Sequence, residues 1–232
     1  MQVRRWLLVA GLVAGALVCV RLAVWQLDRL HQRRALNRRM EAARWRPEVD
    51  LGGAASLPTD SLLWRRVRVR GRFDASFPMA LRNRSLGGVP GVVVVQPLRW
   101  AGADSGVLVE RGWLPAPDGA TVDLAASAEP GSLEVAGLAL PLAGRGPRPR
   151  AGPVLDDAPQ ARARVPYGLR SLVLRRLPGP GVPNWPRALA APELSDGPHL
   201  SYALQWFFFA ALFLAGAVFA ARARPRPRPS QP

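Results

Sequence analysis

At 232 residues the chain has room for one domain with extensions or for two small ones, and its hydrophobic residues, 49% of the total, gather at the two ends. A single cysteine, Cys19, excludes an intramolecular disulfide, CxxC redox chemistry and a zinc site built from several thiolates. The net charge of +16 comes from 32 basic residues, all arginine, scattered without any nucleic-acid-binding motif, so anionic lipid rather than nucleic acid is the expected partner for that charge.

The chain opens with a short basic leader, residues 1–5, followed by an apolar run over 6–25 that is long enough for a membrane-spanning helix. No small-residue cleavage motif follows it, so the segment is expected to remain as an uncleaved span. Arg21 would snorkel toward the headgroups and Trp25 would sit at the interface. Residues 26–46 are strongly charged. Leu27, Leu30 and Leu36 form only a thin apolar stripe there, which predicts a solvated continuation of the first helix that ends at Pro47.

Residues 61–177 read as β structure. From Arg66 to Phe73 the odd positions Val67, Val69, Gly71 and Phe73 alternate with Arg66, Arg68, Arg70 and Arg72, the period of a half-buried strand. Further strands are expected at Gly91 to Val95, ending at Pro97, and at Val107 to Trp113, Ser132 to Leu140 and Val165 to Leu174. Gly- and Pro-rich turns between short strands predict an antiparallel sheet closed as a sandwich or barrel. Pro141 to Gln160 reads as a long loop, and residues 178–198 as a Pro-rich connection. A second span follows at 199–221, and residues 222–232 form a basic tail expected to be disordered.

Arginines after the second span and the acidic Glu193 and Asp196 before it orient the chain with both termini in the cytoplasm and the β domain outside. The leader is too short for a mitochondrial transit peptide, which favours a bacterial plasma membrane. The overall expectation is therefore a membrane protein with two transmembrane helices flanking an extracytoplasmic antiparallel β domain. On the second span His199, Tyr202 and Trp206 fall at i, i+3 and i+7, and so share a helix face, with Gln205 near its edge. Such a face can hold a flat, metal-bearing ligand, or it can be part of an aromatic belt at the membrane surface.

Four segments occur in order: WQLDR at Trp25 to Arg29, GRFD at Gly71 to Asp74, RGWLP at Arg111 to Pro115 and HLSYALQWF at His199 to Phe207. With the two flanking spans they resemble the surfeit locus protein 1 family of cytochrome c oxidase assembly factors, over nearly the whole chain. The sequence departs from that pattern at Ala23, at Glu110 and from Ser195 to Pro198. The resemblance implies a non-enzymatic factor that helps to place heme a into oxidase subunit I, with heme a synthase as a further candidate partner. It also implies that His199 matches the histidine linked to heme a in bacterial members.

On that basis His199 is the expected axial ligand of the heme iron, with Tyr202 and Trp206 packing on the macrocycle. Arg29 and Arg33 are the expected partners of the propionates, for which guanidinium is well shaped. His31 could serve as a second ligand only if the first helix bends or lies along the membrane. In the β domain Trp113 is expected to plug the sheet or an edge, and Arg111 to pair with an acid. Asp156 and Asp157, being adjacent, point apart and make a poor acid and base pair. A plain adaptor that bridges oxidase subunits without heme shares every feature except a purpose for His199. A membrane-anchored hydrolase lacks parts, because the interior contains no histidine, cysteine, GxSxG or metal-binding cluster.

Overall fold

The computed structural model describes residues 2–53, 57–100, 105–144 and 153–223. The chain divides into two compact units, Met1–Arg39 with Leu194–Pro232, and Met40–Glu193. The basic tail beyond residue 223, the turn at 101–104 and the centre of the expected 141–160 loop lie outside the described residues.

In the first unit α1 (Gln2–Arg44), whose last turn belongs to the second unit, is one unbroken helix. Its partner, here α4 (His199–Arg222), runs antiparallel to it. Both are long and apolar enough to cross a membrane. The contact follows a seven-residue period. Ala16, Ala23, Leu30 and Asn37 are buried on α1, and Ala203, Ala210 and Ala217 on α4. Small residues make holes that larger ones fill, the packing used where both helices are apolar all round. A Cβ built on Gly15 would lie 3.2 Å from the Phe213 ring, and one on Gly216 would lie 3.7 Å from Leu12. Of the thin stripe expected beyond Trp25, Leu30 is buried and Leu36 is exposed, and the buried line runs on from Leu30 to Asn37.

The second unit is built from β1 (Val49–Asp50), α2 (Thr59–Leu62), β2 (Arg66–Phe73), β3 (Met79–Leu86), β4 (Val89–Trp100), β5 (Ser105–Pro115), β6 (Leu133–Pro141), β7 (Val154–Leu155), α3 (Ala158–Ala163) and β8 (Gly168–Arg176). Strands β2, β6, β8, β5 and β4 pair in that order, and β4 returns to β2, so five strands close into a barrel. Closure happens at Gly71, opposite Trp100. A Cβ there would stand 2.3 Å from the Arg99 carbonyl oxygen, so only glycine lets the two strands meet.

The interior holds Val67, Val69, Phe73, Leu98, Val107, Val109, Val135, Leu172 and Leu174, and the alternation read in Arg66–Phe73 is the one observed. Outside, α3 and β3 cover the faces of β4, β5 and β8 around Val93, Leu108, Trp113 and Val173.

Three expectations about this domain change. The sheet is mixed rather than antiparallel, because β5 and β8 run parallel, as do the short pairs β1–β2 and β3–β7. Parallel neighbours need a crossover, here supplied by the long excursion from β5 through β6 and α3. Strand β4 does not stop at Pro97. The Pro97 carbonyl accepts the Asp74 N–H just beyond the end of β2, so the donor that proline lacks falls where the ladder has ended. The expected loop at 141–160 contains β7 and the start of α3, capped by Asp157, whose carboxylate accepts the Gln160 N–H at 3.1 Å.

Candidate functional site

The chemistry-bearing residues of the first unit meet where the polypeptide returns to α4. Along α1 the contact face holds small residues at Ala16, Cys19 and Ala23 and then takes up polar ones at Gln26, Arg33 and Asn37 around the buried Leu30, keeping the three- and four-residue steps. These polar groups hold the return segment. Arg33 donates from Nε to the Ser195 carbonyl at 3.0 Å. Arg34 pairs with Asp196 at 2.8 Å, and Asn37 donates to the Ser195 carbonyl at 3.1 Å and to Asp196 at 3.3 Å. The hydrogen bond from Arg34 is the main cause that holds the Asp196 carboxyl below the usual carboxylate range.

Beyond Asp196 the chain turns sharply at Gly197, which has φ +71°, and enters α4 with Pro198 as its N-cap residue. His199 is therefore in the first helical position. Its Nδ1 lies 2.9 Å from the Gln26 amide oxygen. An amide oxygen only accepts, so Nδ1 is the donor in this contact, and in the neutral ring with that donor the lone pair is on Nε2. A Cβ built on Gly197 would lie 3.6 Å from Nε2, so Gly197 is the residue beside that nitrogen and places no side chain against it.

Trp206 sits two turns along α4, half-buried, with its ring edge-on to Phe209 at a centroid distance of 5.9 Å. Tyr202 is 48% exposed and lies on the flank of the helix rather than on its contact line. Arg29 is exposed and donates to the Gln32 amide oxygen at 3.0 Å. Thus Arg33 is brought to the return segment near His199, whereas Arg29 bonds within its own helix.

His31 is exposed on the same unbroken helix, five residues beyond Gln26. That step is about 7.5 Å along the axis and about 140° around it, so His31 faces away from His199. Among the described residues no group of three or more His, Cys, Asp or Glu side chains is placed to hold a metal ion. A metal at this site would have to bring its own ligands, as a porphyrin does, and take one nitrogen from His199.

The RGWLP segment has a structural task in the barrel. Val94 pairs with Gly112 and Val95 with Glu110, which leaves Arg111 as the extra residue of a β-bulge. The bulge turns its guanidinium inward, 4.7 Å above the Phe73 ring. There Arg111 pairs with Glu129 and donates to Gln96 at 2.8 Å and to the Ser127 carbonyl. Trp113 faces outward into the covered layer, and its Nε1 donates to the Arg84 carbonyl at 3.2 Å. Asp156 pairs with Arg82 and Asp157 caps α3, so neither is poised for acid and base work.

The sequence model of the SURF1 family matches residues 13–211, from inside α1, through the whole barrel, into α4. The chain belongs to the SURF1 family. Members of the SURF1 family are assembly factors for cytochrome c oxidase rather than enzymes, so oxidase assembly is the role of this chain. A search of curated proteins finds no significant match. Within the SURF1 match lie all four sequence segments singled out above, and Gln26 and Gly197 lie in it as well. Both lie in stretches named above, Gln26 in WQLDR and Gly197 in Ser195 to Pro198, but neither had a role assigned. A place for Gln26 at the helix contact could have been read by stepping seven residues on from Cys19.

Proposed function

We propose that this chain receives heme a as cargo through His199 and assists its insertion into subunit I of cytochrome c oxidase. The two apolar helices cross the bacterial plasma membrane with both termini in the cytoplasm, and the barrel lies outside. The observation that carries the reading is that the His199 ring is tethered through Nδ1 to Gln26, which leaves Nε2 as the nitrogen for a ligand. Imidazole is a good axial ligand for heme iron, and Trp206 and Tyr202 supply apolar surface for the macrocycle. Arg33 and Arg29 offer guanidinium groups to the propionates. Bound heme would bring the iron and its four pyrrole ligands; the chain contributes one axial nitrogen, aromatic cover and positive charge.

The test is the visible spectrum of detergent-purified protein from cells that make heme a, for the native chain and for His199→Ala. Heme a in the native chain, lost or with an altered iron environment in the variant, is the expected result. A colourless native chain that still captures oxidase subunits would replace this reading with a heme-free adaptor.

A further inference from the structure

We propose that Gln26 is a positioning residue for this site: it fixes the imidazole of His199 with Nε2 as the ligating nitrogen. The inference rests on the heme reading above but concerns a residue of α1, 173 positions away in sequence. A histidine on a helix can rotate about two side-chain bonds and exchange its proton between two nitrogens. A neutral histidine side chain free in water favours the proton on Nε2, the form in which that outer nitrogen cannot bind iron. With its oxygen facing the ring, as it does here, the Gln26 amide restrains both freedoms, since that oxygen accepts only from a protonated Nδ1 and only when the ring is turned toward α1.

The placement of both partners is set by the helix contact. Gln26 follows Cys19 by seven residues and Ala23 by three, so it continues the face that packs on α4. His199 lies one helical turn before the buried Ala203. Arg33, Arg34 and Asn37 fix the entry of α4 by holding Ser195 and Asp196, which keeps the imidazole at the same height as Gln26. Gly197 lies beside the opposite nitrogen and places no side chain against it. Hydrogen-bonding the second ring nitrogen is a general way to orient a ligating histidine and raise its basicity, and losing such a partner typically costs about 10- to 100-fold in affinity.

The experiment uses the full chain in detergent and has two readouts. The first needs no heme. With labelled histidine, long-range proton–nitrogen correlation spectra at alkaline pH report which ring nitrogen carries the proton. The chain has only two histidines, and the exposed His31 is the internal reference. His199 should be protonated at Nδ1 in the native chain, move to the Nε2–H form in Gln26→Leu, and return to Nδ1–H in Gln26→Glu, which restores an acceptor and guards against a general folding defect. An Nε2–H tautomer in the native chain, or no change in Gln26→Leu, overturns the inference and leaves the heme reading standing.

The second readout is heme a retention during dilution. Gln26→Leu should weaken it about 10- to 100-fold and Gln26→Glu should keep it within a few-fold of native. Unchanged retention in Gln26→Leu overturns the positioning role. A native chain that carries no heme at all overturns the underlying reading instead, whatever the tautomer.

Discussion

Arg111 and Glu129 are joined at the wall of the barrel, and Arg176 closes on the same carboxylate at 2.8 Å from β8. Both guanidinium groups are almost fully buried, at 2% and 4% side-chain exposure, and they share one acid. Burial pushes the Arg111 guanidinium below its ordinary value, and Glu129 pulls it back up. The carboxylate is therefore the group on which the two cations depend. Glu129→Gln should cost about 3–5 kcal/mol, the penalty of breaking a buried ion pair, because it leaves two buried cations facing each other. Arg111→Met should cost less, about 1–3 kcal/mol, since Glu129 loses the Arg111 donors but keeps Arg176, and Gln96 and the Ser127 carbonyl, both neutral acceptors, each lose a donor. Denaturant unfolding of the full chain in detergent would rank the two; the opposite order would mean that Arg111 alone holds the wall.

Tyr167 gives the barrel a response to alkali. Burial first, and then the hydrogen bond to Asp74 at 2.8 Å, raise its phenol well above the ordinary value of 10.0. An unfolded tyrosine loses its proton near that ordinary value while the folded one keeps it. The stability contributed by Tyr167 is therefore complete below about pH 10 and is lost as the pH rises through the folded value. Partial exposure of the ring to solvent limits the size of the effect. Tyr167→Phe should lower stability at neutral pH by about 1 kcal/mol and flatten the alkaline decline. Parallel declines for the two proteins in urea titrations at rising pH would assign the alkaline sensitivity elsewhere.

What the sequence made legible, and what it hid, follows from the range of each interaction. Strand β2 could be read because its two faces differ residue by residue, from Val67 to Phe73. Strand β3 was missed because only Met79, Ala80 and Leu81 are buried, while Arg82, Asn83 and Arg84 carry a bulge at the exposed end and Asn83 has φ 55°. The parallel pairing of β5 with β8 has no local signature, since each strand taken alone would suit an antiparallel neighbour equally well. At the site, His199 drew attention as one of only two histidines. Gln26 stood in the WQLDR segment, but its pairing with His199 could not be read there, because the partner is far away in the chain. Arg33 was singled out for its charge, and its bond to the Ser195 carbonyl could not be foreseen without knowing where the chain returns.

The helix pair can be tested through its one cysteine. Cys19 is buried on the contact line of α1, one turn beyond Gly15, whose missing side chain makes room for the Phe213 ring. Gly15→Leu should force the ring out and separate the helices locally, so that a membrane-permeant thiol reagent modifies Cys19 several-fold faster. Phe213→Ala in the same chain should restore slow modification by returning the lost space. Equal rates in all three proteins would mean that this contact does not hold the helices together.

Arg29 and Arg33 should separate under substitution, because their surroundings differ. Arg29 is exposed and bonded only to Gln32 on its own helix, so Arg29→Ala removes a charge and little else. Arg33 also holds the Ser195 carbonyl at the entry of α4, so Arg33→Ala removes a charge and loosens the segment that sets the height of His199. If both guanidinium groups pair with heme propionates, each variant should weaken heme a retention by about 1.5–3 kcal/mol per lost charge-assisted bond. Only Arg33→Ala should in addition raise protease cleavage or hydrogen exchange at residues 194–198. Arg29→Ala with full heme retention would remove Arg29 from the site and leave the propionates to Arg33 and its neighbours. Increased exchange at 194–198 in Arg29→Ala would instead show that the exposed end of α1 is stiffened by its own surface bonds.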